Sequence, residues 1–371
     1  MTENPNWYTI NNISEFDSPA LLIYLDRVQN NIAQIKGMID DVARLRPHVK
    51  THKTKEASLL LMEAGIRKFK CATIAEAEML ADIEAPDVLL AYQPVGPKIE
   101  RFISLVITFP ATRFSCLVDD YKVAQQLSER AVEANLDIPV YLDVNVGMNR
   151  TGVIPDKAID LYTVCSYLEG ITPIGLHVYD GHIGDKDFEK RKQQCDEAYA
   201  LVEELKKQLM KAGLEKPIII AGGSPTFPIH AQRKKVECSP GTFIFWDDGY
   251  TQKLSEQPFQ TAALVLTRII SLPSETMLCT DLGHKSIAAE NPLGNRVSFL
   301  NAPDLKVISQ SEEHLVLQAE KGHHYKVGDV LYGLPYHICP TCALYEKGLV
   351  VENGSVTNEW PIISRNRKIL F

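Results

Sequence analysis

The sequence predicts an α/β protein: an N-terminal (β/α)8 barrel of the TIM type followed by a C-terminal, mostly antiparallel β-domain. Strand-like apolar runs alternate with helical periodicity from about residue 21 to residue 243. Counted from Val49, there are eight such runs with a helical segment after each of the first seven. That alternation implies a parallel sheet, and eight units imply a closed barrel. Beyond about Gly249 the long helical patterns stop and short β-rich runs replace them. The expected division is therefore residues 18–250 for the barrel, and 1–17 plus 251–371 for the β-domain.

Taken in order, residues 21–24 form a short apolar run, and Asp26 caps a helix through 38. A strand ends at Val49-Lys50, and a helix follows over 55–64. Residues 69–73 read as a strand, 75–81 as a helix and 88–92 as a strand. Pro97 opens the next helix at its first position. The strands 114–118, 140–146, 174–179, 218–221 and 236–238 complete the barrel set. In the second half, residues 261–272, 277–281, 296–300, 305–309, 315–318, 327–334 and 349–357 read as antiparallel strands. Glu352-Asn353-Gly354 between Val-rich runs signals a hairpin. Residues 7–10 have β character and are expected to return to the second domain.

Composition narrows the function. Hydrophobic residues at 45% and charged residues at 23% are ordinary for a soluble globular protein. A net charge of −8 argues against a nucleic-acid partner, which needs a clustered basic face. No apolar run reaches membrane-spanning length, and the polar start, MTENPNWYTINN, lacks the regions of a signal peptide. The eight cysteines are scattered, which reads as reduced thiols in a cytoplasmic protein.

Chemistry gathers at the expected C-terminal ends of the barrel strands. The first ends in RPHVKTHKT, residues 46–54, with Lys50 at the strand end. A lysine facing a barrel mouth can be desolvated, and its neutral amine can bond to an aldehyde cofactor. Alone, this stretch reads as a basic surface loop. Strand five ends in DVNVGMNRTG, which puts Arg150 just past it, and strand six in HVYDGH, with His177, Tyr179 and His182. Strand seven ends in AGGSPT, with Gly222, Gly223 and Ser224, and strand eight runs into SPGTF, with Gly241 and Thr242. Small-residue loops after strands seven and eight form the usual barrel phosphate site. A strand-end lysine opposite a phosphate cradle suggests pyridoxal 5′-phosphate, which binds through an aldehyde and a phosphate.

RPHVKTHKT, FKCATIAEAEML, LLAYQPVGP, DVNVGMNRTGV, GLHVYDGH, AGGSPT and SPGTFIFWDDGY together resemble the D-threonine aldolase and D-serine dehydratase family. The resemblance runs from about residue 18 to the C-terminus and implies the alanine racemase fold. It implies that Lys50 carries the cofactor, Arg150 meets its phenolic oxygen and Tyr179 its ring nitrogen. Gly222, Gly223, Ser224, Gly241 and Thr242 would hold the phosphate.

The second constellation is PYHICPTC, residues 335–342. If extended, His337 and Cys339 lie on one face and can ligate one metal. One Cys339-x-x-Cys342 pair falls short of tetrahedral closure, which argues against a structural zinc site. The family resemblance implies instead a divalent metal near the cofactor, held by a His-x-Asp pair in aldolases and a His-x-Cys pair in dehydratases. Two protein ligands leave positions open for substrate, and thiolate plus imidazole favours zinc. Among the other polar groups, Asp143 is expected to partner a lysine in the barrel core, and His177 to pack inside or on the other face. His48 reads as a support for Lys50 or a packed ring, and Asp247-Asp248 as a turn.

The reading that results is a pyridoxal-phosphate- and metal-dependent lyase acting on D-β-hydroxy-α-amino acids, with a lean to dehydration over retro-aldol cleavage. The resemblance also implies a homodimer. An amino-acid racemase of the same fold is the first alternative; it would need a second base and no metal. A non-catalytic cofactor-binding protein is the second, and the large β-domain argues against it.

Overall fold

The computed structural model describes residues 6–371. The chain forms two compact units. One comprises Ile35–Lys50, Ala57–Gly241 and Asn366–Phe371; the other comprises the chain up to Gln34, Thr51–Glu56 and Thr242–Arg365.

The first strand, β1 (Ala20–Tyr24), belongs to the second of these units. The barrel unit contains β2 (Lys68–Cys71), β3 (Asp87–Leu90), β4 (Arg113–Val118), β5 (Ile138–Asp143), β6 (Ile171–Val178), β7 (Ile218–Ala221) and β8 (Val236–Cys238), parallel and adjacent in sequence order. The helices are α1 (Leu25–Gly37), which precedes the barrel, then α2 (Lys55–Glu63), α3 (Ile74–Ala81), α4 (Pro97–Thr108), α5 (Tyr121–Glu133), α6 (Pro155–Cys165), α7 (Phe188–Lys211) and α8 (Phe227–Ala231). The alternation expected from the sequence is therefore present.

The eighth stave is the segment 45–49. Leu45 bridges Cys238 at the end of β8, and His48 bridges Lys70 on β2, both in parallel. Arg46 N–H donates to the Cys238 carbonyl at 2.8 Å, and His48 N–H to that of Pro240 at 3.0 Å. On the other side, Val49 N–H donates to Lys70 O at 2.9 Å, and Lys70 N–H to Pro47 O at 2.9 Å. Pro47 has no N–H, so this stave makes isolated bridges rather than a full ladder. The ring is closed all the same.

Local signals explain individual elements. Thr73 caps α3 by accepting the Glu76 N–H at 3.1 Å, and the Glu76 carboxylate reaches back to the Ala72 N–H at 2.6 Å. This is a variant of the capping box, with the carboxylate reaching the residue before the N-cap. Every residue of α3 is buried. Its Glu78 carboxylate accepts the Leu370 N–H from the C-terminal segment at 2.9 Å.

Within the barrel, Leu89, Leu117, Tyr141 and Ile220 pack together. At the strands' N-terminal end lies Arg46, with 0% exposure. Its Nε donates to Glu237 on β8 at 2.8 Å and its Nη1 to Asp87 on β3 at 2.5 Å. Lys68 also pairs with Glu237. Burial works against the charged guanidinium, but the two carboxylates outweigh it and raise its pKa.

The β-unit is built around β1, whose residues Leu21–Tyr24 are all buried. Its neighbours are β9 (Ala263–Ser274), antiparallel, and β15 (Lys347–Glu352), parallel. The sheet continues through β10 (Met277–Thr280), β13 (Leu315–Gln318) and β12 (Lys306–Gln310) on one side and β16 (Ser355–Pro361) on the other. The strands β11 (Val297–Phe299) and β14 (Val330–Pro335) pair together, and β14 also pairs with β9. The 352–354 signal is realised as the β15–β16 hairpin, with Asn353 and Gly354 at φ 51° and 73°, the left-handed pair that a type I′ turn requires.

The strand β1, inside the span 18–250 expected for the barrel, pairs on both of its own edges within the other sheet, with β9 and β15. One expectation needs correction. Residues 7–10 form no strand; Tyr8 and Ile10 are instead buried beside Leu22, Tyr332 and Leu349, and the Ile10 N–H donates to the Tyr332 hydroxyl at 3.2 Å.

Arg46→Met should destabilise the barrel by about 3 kcal/mol, because it strands two carboxylates that Lys68 and Arg113 compensate only in part. Urea denaturation of the two proteins, compared by midpoint at equal slope, measures this.

Candidate active site

Lys50 stands directly after the closing stave, and its backbone N–H donates to His48 Nδ1 at 3.3 Å. His48 thus supports the backbone at Lys50. On the β8 side of that stave, the loops after β7 and β8 are buried at Gly222, Gly223, Ser224 and Gly241. Gly222 has φ 78°, and a Cβ there would lie 2.7 Å from His230 Cδ2 and 2.9 Å from Thr226 Oγ1. The turn therefore requires glycine. Thr242, the next residue after Gly241, is buried and opens a 3-10 turn of the β-unit.

Tyr179 and Arg150 come together: the Arg150 guanidinium lies over the Tyr179 ring, 4.8 Å from its centroid. Gly181 makes room for that ring, since a Cβ there would lie 2.3 Å from the Tyr179 hydroxyl.

Behind the β7 loop runs a buried network that the sequence reading missed. Asp180 accepts the Thr226 hydroxyl at 2.8 Å through one oxygen and pairs with His230 Nε2 at 2.8 Å through the other. Arg233 Nη1 donates to His230 Nδ1 at 2.8 Å. A guanidinium can only donate, so Nδ1 accepts and the ring proton sits on Nε2, toward Asp180. Burial pushes the Asp180 carboxyl up, but His230 and Thr226 hold it below the usual range. Thr226 Oγ1 also accepts the Gly223 N–H at 3.4 Å, which ties the network to the loop.

Asp180, Cys195 and His230 place ligating atoms within 4.8 Å of one another. Arg233 already supplies a cation there, donating to His230 and lying 3.5 Å from Cys195 Sγ. Burial keeps the Cys195 thiol protonated by raising it to about 12. This arrangement suits loop support better than metal binding.

A second network fills the barrel interior. His177 Nδ1 meets Asp143 at 2.7 Å, and Lys70 Nζ lies 3.4 Å from His177 Nε2. Asp143 thus partners a barrel lysine through His177, and His177 packs inside the barrel. Lys70 and Ser239 were also missed. The buried Ser239 hydroxyl has no protein partner. It follows β8, and its N–H donates to the last residue of β7 at 3.3 Å. An unfilled donor where two glycine loops meet, beside the stave that ends in a lysine, fits a phosphate-bearing aldehyde cofactor.

In the β-unit, His337 has extended backbone at φ −135° and ψ 103°, but Cys339 is helical. His337 is the N-cap of a helix, α10 (Ile338–Cys342), and Cys339 is its second residue. Pro340 is tolerated because the first helical turn needs no N–H partners. Burial works against a charged His337, but the Cys339 thiol and Glu290 carboxylate beside it outweigh burial and raise the imidazole to about 9. Cys339 Sγ also lies 3.1 Å from the Thr51 hydroxyl and 3.5 Å from that of Thr242. An imidazole and a thiol meeting at a helix start form a donor set that fits zinc. Cys342 is fully buried, its thiol raised by burial, as a packing cysteine is. Asp247, expected as a turn residue, caps a short helix (Asp248–Lys253) by accepting the Tyr250 N–H at 3.0 Å. It also accepts the Ile338 N–H at 3.0 Å, which fixes the start of α10.

In metal-free protein, Cys339→Ala should move the His337 titration from near 9 toward that of a free imidazole, because the thiol is the largest favourable neighbour. The His337 ring-proton chemical shift against pH measures it; an unchanged midpoint would separate the two side chains.

Residues 23–248 match the family described as alanine racemase, N-terminal domain, and residues 262–351 the family described as "Putative serine dehydratase domain". The chain is 28% identical over 361 residues to a D-threonine aldolase of Arthrobacter sp, covering 95% of this chain and 94% of that protein. It is 27% identical over 240 residues to a D-threo-3-hydroxyaspartate dehydratase of Delftia sp. (strain HT23), covering 62% of each. The crystal structure of D-threonine aldolase from Filomicrobium marinum superposes with a TM-score of 0.87 at 27% identity, over 95% of this chain and 96% of that one. With the parallel barrel, the antiparallel second sheet and both matched domains, the chain belongs to the pyridoxal-phosphate-dependent D-threonine aldolase and D-serine dehydratase family of the alanine racemase fold.

Proposed function

We propose that this protein is a pyridoxal-phosphate- and divalent-metal-dependent lyase of D-β-hydroxy-α-amino acids, and that it favours dehydration. The observation that carries the reading is at Thr51. This residue directly follows the cofactor lysine, and its hydroxyl lies 3.1 Å from the thiol of the His337–Cys339 pair. The relatives bear both aldolase and dehydratase names, so the reaction class is common to them and its outcome is the finer question.

Lys50 would hold the cofactor's aldehyde carbon, and the bound cofactor supplies an electron sink at the substrate Cα. Backbone N–H groups at Gly222, Gly223, Ser224, Gly241 and Thr242 would receive the phosphate. Arg150 offers positive charge to the phenolic oxygen, and the Tyr179 hydroxyl a hydrogen bond to the ring nitrogen. The Lys50 amine, when not bonded to the cofactor, would serve as the base for the Cα proton. His337 and Cys339 would hold the metal, zinc by ligand softness, which supplies a Lewis acid for the β-hydroxyl. Loss of the Cα proton and the β-hydroxyl would release water and an enamine, whose imine tautomer takes up water to give a keto acid and ammonia. Loss of the β-hydroxyl proton instead breaks Cα–Cβ and gives glycine and an aldehyde. The His-x-Cys pair favours the former, on the family resemblance. The same resemblance supports a homodimer, and the cysteine usage a cytoplasmic location.

Two measurements test this. Borohydride reduction of the protein incubated with pyridoxal 5′-phosphate should fix the cofactor to the Lys50 peptide; label at Lys53 or Lys55 would overturn the assignment. With D-serine or D-threonine, pyruvate or 2-oxobutyrate should exceed acetaldehyde and glycine. A chelator should abolish turnover while the visible band of the lysine-bound cofactor persists, and zinc should restore it. Full activity after chelation would favour the racemase alternative.

A further inference from the structure

A half-exposed carboxylate meets the imidazole of the candidate metal pair. Glu290 lies 47 residues before His337 in the chain, and its Oε1 stands 2.5 Å from His337 Nδ1. A carboxylate can only accept, so Nδ1 carries the ring proton and Nε2 is the nitrogen left to bind an ion. The two side chains are 45% and 47% exposed. An ion pair so open to water contributes little to stability. Stability therefore does not account for how firmly the backbone holds its two sides together. Ahead of Glu290, the Ala288 N–H donates to the Thr341 hydroxyl oxygen at 3.1 Å, and that hydroxyl donates to the His337 carbonyl at 2.8 Å. Ala288 and Thr341 are both buried, so water does not compete for this tie. Beyond Glu290, the Asn291 carbonyl accepts Arg296 Nε at 2.9 Å, and the Arg296 carbonyl accepts the Tyr336 N–H at 3.0 Å. The segment 288–291 is thus bound to the chain on both sides of His337. Asn291 Nδ2 also donates to Glu290 Oε1 at 3.2 Å, so the oxygen that meets the imidazole is itself held. An alanine at position 290 would keep every one of these backbone ties and lose only the contact with His337.

We propose that Glu290 is a positioning residue for the metal: it keeps the His337 proton on Nδ1 and the ring in one orientation, so that Nε2 serves as the ligand atom alongside the Cys339 thiol. A carboxylate behind a ligating imidazole fixes the tautomer and makes the other ring nitrogen a stronger donor. Glu290 itself stays off the metal and acts through His337. The inference rests on the reading of His337 and Cys339 as the metal pair. It adds to that reading a residue from a separate loop, which the Thr341 and Arg296 ties bring to the imidazole.

Its test reads zinc affinity rather than turnover. Metal-free wild type, Glu290→Gln and Glu290→Ala are each titrated with zinc in competition with a chromophoric chelator at one pH. The melting temperature of each metal-free protein is recorded alongside. Glu290→Ala should bind zinc about tenfold to a hundredfold more weakly, the usual cost of removing such a partner, at an unchanged metal-free melting temperature. Glu290→Gln keeps an oxygen that accepts from Nδ1, so it should recover most of that loss. Loaded with cobalt in place of zinc, all three should share one visible spectrum, because the ligand set is the same. Wild-type zinc affinity in Glu290→Ala overturns the proposal. An equal loss in both variants also overturns it, and an altered cobalt spectrum then marks Glu290 as a ligand. A loss confined to variants that melt lower without metal makes Glu290 structural, and the proposal falls. If wild type binds zinc no better than His337→Ala and Cys339→Ser, the pair is not the metal site, and the reading falls together with this inference.

Discussion

A guanidinium with no exposure must find anions, and Arg46 finds one on each side of the barrel's closure. Glu237 lies on the last strand and Asp87 on the third, while Arg46 belongs to the stave that joins the ring's two ends. That stave cannot rely on a ladder, since Pro47 removes a donor in its middle. Side-chain ion pairs therefore supply the register that backbone bonds supply elsewhere. Lys50 lies four residues further on, so the pins at Arg46 and the bridge at His48 determine where its amine emerges. Hydrophobic replacement of a buried ion pair can match its stability, but it removes this directional constraint.

The barrel interior is accordingly layered. Ions at the strands' N-terminal end close the ring, an apolar layer of Leu89, Leu117, Tyr141 and Ile220 separates the two ends, and a polar layer returns with Lys70, Asp143 and His177. Outside it, Asp180 and His230 hold the β7 loop through Thr226. The ionic groups Arg46, Lys70, Asp143, His177, Asp180 and His230 are each matched, because an unmatched one costs more than a hydrogen bond returns. The hydroxyls of Ser115 on β4 and of Ser239 are exceptions, and that of Ser239 is buried where two glycine loops meet.

In the β-unit the same economy operates at one helix start. Asp247 accepts the Ile338 N–H, the Thr341 hydroxyl donates to the His337 carbonyl, and the thiol of Cys339 meets two threonines. These bonds fix the helix start at which the imidazole and thiol meet.

The alternation of period-2 and period-3.6 runs by itself determined the barrel, its strand ends, the lysine at the first of them and the glycine loops at the last two. Strand ends are local features, and in a parallel barrel they all lie on one face. The hairpin at Asn353-Gly354 was legible for the same reason, since left-handed φ values select those residues. The tertiary structure alone decided the rest. A run such as Leu21–Tyr24 reads alike in either sheet, and only its distant partners β9 and β15 assign it to the β-unit. The spacing of His337 and Cys339 suits one ion only if His337 stays extended, and Asp247, far away in sequence, starts the helix just after it by accepting the Ile338 N–H. Lys70 stands in its strand as one polar letter among apolar ones, and its meaning comes from His177 across the ring. Sequence carries local period and backbone preference directly; contacts between distant residues exist only once the ring has closed.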